Sequence, residues 1–242
     1  MTDRFRVELK GDVTALKAVA PYLQTPKLRL EVDGDTIYLT SSTFEALTWP
    51  DDVIAAARRI VPSIKAAIRL ARVTGPRAVD AYRVVVQRPE GPRNFVYVYA
   101  QEAIGVGEAL AATVLGGSQP RPTPIPIELA LTDARVALAL ELFAHDPNWY
   151  DLYKVLDVVE EDVSGERALE AKGWVPRSEL KRFTQTANSH GAVGLDARHA
   201  RNAFRPPKVP MPLADAVDLI RRVLISWLAT KGVRGVAPTL YG

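Results

Sequence analysis

Four prolines at alternate positions, Pro120, Pro122, Pro124 and Pro126, limit how this chain folds more than any other feature. Proline fixes φ and carries no N–H, so the stretch favours extended chain and cannot join a hydrogen-bonded ladder. Residues 116–127 therefore read as a linker. It separates an α+β part, residues 1–115, from a helical part, residues 128–231, with residues 232–242 as a tail. A chain of 242 residues suits one large domain or two small ones, and it can bury a core without disulfides or metals.

Periodicity sets the fold class of the first part. Arg4 to Leu9 alternates with period two, as a half-buried strand does. Thr14 to Leu23 carries Leu16, Val19, Ala20 and Leu23 at helical spacing. Leu28 to Leu39 is two alternating runs about Asp33-Gly34, a hairpin signal. Pro50-Asp51-Asp52 opens a long helix, because proline is tolerated in the first turn and acids there favour the dipole. Ala81 to Val86 and Phe95 to Tyr99 read as a second hairpin around residues 88–92, and Ile104 to Leu115 as a further strand.

The second part reads as a four-helix bundle. Thr132-Asp133 caps the first helix and Asn148 the second. Ser178 to about His190 makes the third, and Met211-Pro212 opens the fourth, with Leu213, Val217, Ile220, Leu224, Trp227 and Leu228 as its stripe. Such stripes serve a bundle core or a dimer interface equally.

Charge is unevenly placed. Net charge is only +3, so the molecule as a whole is no general polyanion binder. From Phe143 to Ala171, however, eight acids face two bases, and from Lys172 to Lys208 eight bases face two acids. The two segments attract one another, within one chain or between two, unless they are simply solvated helix surfaces. There is no cysteine, which excludes disulfides and Cys-based zinc sites and fits a reducing cytoplasm. The start of the chain lacks the apolar core of a signal peptide, and no run of about 18 apolar residues exists, so neither a leader nor a membrane span is expected.

Catalytic residue types concentrate in FTQTANSHGAVGLDARHARN, residues 183–202, which holds two of the three histidines. Three readings are open: an active site, a phosphate-binding loop, or polar caps. For metal-independent RNA cleavage, His190 or His199 supplies a base of the right pKa and Arg198 a cation for the scissile phosphate. Asn188, Arg201, Arg205 and Lys208 are the candidate ligand contacts, with Phe204 placed to stack on a base. As caps, Asn188 and His190 would satisfy helix-terminal carbonyls, and Asp196 would pair with Arg198 or Arg201. His190, Asp196 and His199 have no metal-ligand spacing, and His145-Asp146 reads as a helix end followed by a turn, so neither a metal nor a cofactor is expected. There is no P-loop, GxSxG elbow or GxGxxG.

The order NWYDLYKVLDVVEEDV, then FTQTANSHG and a polar loop, then PMPLADAVDLIRRVLISWL, resembles the helical bundle of the higher eukaryote and prokaryote nucleotide-binding (HEPN) superfamily over about residues 130–230. That resemblance implies a dimer, an RNA or nucleotide partner, and a site at the junction of the last two helices. Many members are RNases or components of toxin and phage-defence systems, with a signature of Arg, four to six residues, then His. Here seven residues separate Arg182 from His190, Arg198 adjoins His199, and no His follows Arg201-Asn202. The whole chain is also similar to a recurring bacterial type with an α+β front and such a helical rear. The expectation is a non-catalytic regulatory or interaction protein, a homodimer through its helical part, with a protein partner for the α+β part. The alternative is a HEPN-type RNA- or nucleotide-binding protein or RNase.

Overall fold

A computed structural model of the chain describes residues 4–71, 79–87, 95–99, 127–198 and 205–231. The expected strand at 104–115, the proline linker up to Pro126, the turn at 88–92, the tail, Phe204 and the candidate residues His199 and Arg201 lie outside them. The fold is α+β, and the chain divides into two compact units, Met1–Glu128 and Leu129–Gly242.

Among the described residues, the first unit is a five-stranded antiparallel sheet with helices. Strand β1 (Arg4–Gly11) buries Val7 and Leu9 and turns Arg4, Arg6 and Glu8 to the opposite face, as its period-two pattern requires. Asp12 then caps α1 (Val13–Val19), its Oδ1 accepting from the Ala15 N–H at 3.0 Å. Strands β2 (Leu28–Asp33) and β3 (Thr36–Ser41) form the first hairpin. Its register pairs Asp33 with Thr36, so the two loop residues are Gly34 and Asp35, one position beyond the expected pair. Gly34 has φ 59°, and the first loop position of a type II′ hairpin turn demands that freedom.

After the short α2 (Ser42–Glu45) comes α3 (Pro50–Leu70), which buries Val53, Ile54, Ala57, Ile60, Ile64 and Ile68. Strands β4 (Val79–Gln87) and β5 (Phe95–Val98) complete the order β2-β3-β1-β4-β5. With β1 held between β3 and β4, the path β1-α1-β2-β3-α3-β4 is the split β-α-β-β-α-β connection. Helices α1 and α3 pack on each other and on the sheet. A bulge in β4 leaves Tyr82 without a register partner on β1, between Arg83 opposite Glu8 and Ala81 opposite Leu9.

The second unit is helical. It contains α4 (Ile127–Ala130), whose span includes the division between the units, α5 (Ala134–Ala144), α6 (Trp149–Asp162), α7 (Glu166–Lys172), α8 (Arg177–Asn188), α9 (His190–Val193) and α10 (Leu213–Thr230). Asp133 caps α5 through the N–H groups of Arg135 and Val136, and Asn148 caps α6 through that of Asp151. In the turn between them, His145 Nδ1 lies 3.0 Å from Asp151 Oδ2. Phe143, Leu156, Phe183, Leu219, Val223 and Trp227 form the core. Its end is tied by a polar cluster: Trp227 Nε1 donates to Asp162 at 2.9 Å, and Lys231 Nζ reaches Asp133 at 2.7 Å and Asp162 at 3.0 Å. The Lys231 ammonium holds the Asp133 carboxyl below its ordinary range.

Helix α7 had no expected counterpart. Ser164 and Gly165, both at positive φ, open it, and Gly173 closes it in the left-handed conformation. Helix α8 also stops before His190. Ser189 is extended and fully buried, so His190 starts α9 rather than ending α8. No described helix is long and apolar enough to cross a membrane.

Candidate functional site

The junction between α8 and α10 rests on an aromatic layer. Phe183 of α8 lies between Trp149 and Tyr153 of α6, with ring centroids 5.9 Å and 6.1 Å away. These rings sit one turn apart on α6, which is why one face of that helix can hold both. Arg198 closes the layer. Its backbone N–H donates to the Ala187 carbonyl at 3.0 Å, which fixes where its side chain starts. The guanidinium then lies over Tyr153, 4.2 Å from the ring centre, and its Nη2 is 3.3 Å from Asp157 Oδ2.

Acids surround that cation. Burial raises the Asp157 carboxyl, while Arg198 and Lys154 act against the rise. Glu160, three residues on along α6, is pushed up to about 7 by burial first and then by the charges of Glu166 and Asp157. A carboxyl that titrates near neutrality exchanges protons readily at working pH. Among the described residues, no three His, Asp or Glu side chains are grouped to hold a metal ion.

The remaining candidates are dispersed. Asn188 ends α8 with its Oδ1 buried and without a hydrogen-bond partner. His190 is half-buried at the start of α9, its carbonyl accepts from the Gly194 N–H, and its side chain forms no hydrogen bond or ion pair among the described residues. Arg205 and Lys208 are exposed and equally unpaired there. Arg182, the arginine nearest His190 on the preceding helix, is committed elsewhere: Nε and Nη2 donate to the Val209 and Pro210 carbonyls, both at 2.9 Å. Arg198 takes Asp157 as its carboxylate, not the nearby Asp196, because the aromatic face of α6 receives its guanidinium.

Sequence reasoning missed Tyr153, Asp157 and Glu160 as members of this site. Their spacing at i, i+4 and i+7 on α6 was the available signal, because it places all three on one helix face. The opposed charge segments meet here within the chain, through Arg198 with Asp157 and through Arg177 with Glu170 at 3.0 Å. No protein-family model, curated protein or solved structure matches the chain.

Proposed function

We propose that this chain is a non-catalytic interaction protein that self-associates through its helical unit. One observation carries the reading. The arginine that a phosphate-cleaving site needs, Arg198, is already paired with Asp157 and held over Tyr153. A guanidinium so held stabilises its own fold, and an incoming phosphate would have to displace a carboxylate first. What remains open at the junction suits a second copy. Leu195 is 96% exposed and Val209 66% exposed, and Arg205 and Lys208 stand unpaired nearby in sequence. Glu141 and Asp146 are exposed acids whose carboxylates have no partner among the described residues. A two-fold pairing would set the bases of each copy against acids of the other, which closes the assembly.

Light scattering across a concentration series tests this. A dimer that weakens as salt rises is expected, because exposed charges are screened. A strict monomer at every concentration overturns it.

A second reading is an RNA- or nucleotide-binding protein of HEPN type. Arg205 and Lys208, exposed and unpaired on the segment whose Pro206 approaches Gly191, favour it. RNA affinity should then fall steeply with salt and drop in Arg205→Ala and Lys208→Ala. RNA cleavage lost in His190→Ala would replace the non-catalytic reading with the enzymatic one.

A further inference from the structure

The face of the first unit's sheet away from the Val7 and Leu9 core carries arginines of another kind. Arg4 and Arg6 project from β1 and Arg29 from β2, and the strand order brings these strands to either side of β3. All three line one cavity of about 280 Å³ at this end of the sheet. Thr40, Ser42 and Gln87 also line it, and their side chains form no hydrogen bond among the described residues.

None of the three arginines has a carboxylate partner among the described residues. Arg29 gives one N–H, from Nε, to the Thr25 carbonyl at 3.3 Å, which leaves its terminal nitrogens free. Arg6 lies over the Tyr38 ring, 3.9 Å from its centre, and its Nε is buried with no acceptor. The nearest acid on its own strand face, Glu8, is already claimed by Nε and Nη2 of Arg83. Guanidinium N–H groups without acceptors are costly inside a fold and are the usual donors to phosphate.

We propose that this cavity is a binding site for a small phosphomonoester. Three guanidinium groups outnumber the two carboxylates, Glu31 and Glu45, that border the cavity, and a dianionic phosphate offers three strong acceptor oxygens. The volume lies at the lower end of small-ligand pockets, so the organic part is compact. A long polyanion fits poorly, because Glu31 and Glu45 also border the cavity and would repel a chain of phosphates leaving it. Tyr38 holds the plane of Arg6, and the hydroxyls of Thr40 and Ser42 offer neutral hydrogen bonds to the remaining oxygens.

The test uses the full chain with three probes, inorganic phosphate, glycerol 3-phosphate and adenosine 5′-monophosphate, and with adenosine as control. Calorimetric titration should show at least one phosphomonoester binding at least tenfold more tightly than adenosine. Affinity should rise from pH 5 to pH 7, as the second phosphate proton, of pKa about 6, is lost while arginine stays charged. Arg4→Ala and Arg29→Ala, both at exposed positions, should each weaken binding about tenfold, and Arg29→Lys should recover only part of it. The proposal is overturned if no probe binds more tightly than about 1 mM. It is equally overturned if adenosine binds as well as its phosphate, or if the Arg4→Ala, Arg29→Ala double variant keeps full affinity.

Discussion

Both units are rich in arginine, and the two sets do opposite things. In the helical unit Arg177, Arg182, Arg198 and Arg222 are engaged, with Glu170, the Val209 and Pro210 carbonyls, Asp157 and Glu179 respectively. In the sheet unit Arg4, Arg6 and Arg29 share a cavity and have no carboxylate. Density of catalytic residue types singled out Arg198 of the first set in the sequence. Unpaired charge marks the second in the structure. The contrast teaches that a cation's availability depends on what its neighbours have already neutralised.

The largest effect that would sharpen the contrast lies beneath Arg198. Phe183 is fully buried between Trp149 and Tyr153, so Phe183→Ala should cost about 3–5 kcal/mol, read as a lower denaturant midpoint. A cost below about 1 kcal/mol would mean that the aromatic layer is not the platform described.

Arg198→Ala comes next. It strips the half-buried Asp157 of its counter-charge and uncovers Tyr153, and should cost about 1–2 kcal/mol because the pair is partly solvated. No loss of stability, with a loss of ligand or RNA binding instead, would move Arg198 to the side of the available cations.

Glu160 gives a smaller and pH-dependent effect. Its folded pKa of about 7 lies above the ordinary glutamate value, so the folded state holds the proton more tightly. Its contribution to stability is complete below the unfolded pKa, about 4.3, and is lost as pH rises through about 7. Glu160→Gln should therefore gain about 1 kcal/mol at pH 8 and nothing at pH 4, after allowance for solvent screening. Unfolding at both pH values checks this; an equal effect at both contradicts it. The Asp133–Lys231 pair acts in the opposite sense, because its depressed carboxylate loses stability only as pH falls below the ordinary aspartate range.

The smallest stability effect belongs to the sheet. Arg29→Ala should change the midpoint by less than about 0.5 kcal/mol, since the side chain is exposed and makes one long hydrogen bond. A larger loss would show that this arginine, too, is structural.

Local features were legible in the sequence. Alternation placed β1 and the first hairpin, Asp133 and Asn148 announced their helices, and Pro50-Asp51-Asp52 announced α3. What escaped was set by long-range contact. Ser189 ends α8 in an extended and buried conformation, and no propensity predicts that. Arg198 could be placed near a loop, but not on Tyr153. Arg4, Arg6 and Arg29 alternate outward as the period predicts, yet only the strand order makes them neighbours.

The most direct test is the shift in unfolding temperature caused by whichever of the three phosphate probes binds most tightly, measured on the unaltered chain, Arg29→Ala and Arg198→Ala. Arg198→Ala should start from a lower midpoint and keep the full ligand shift, while Arg29→Ala should keep the midpoint and lose the shift. The reverse pattern, with the shift lost in Arg198→Ala and kept in Arg29→Ala, would contradict this.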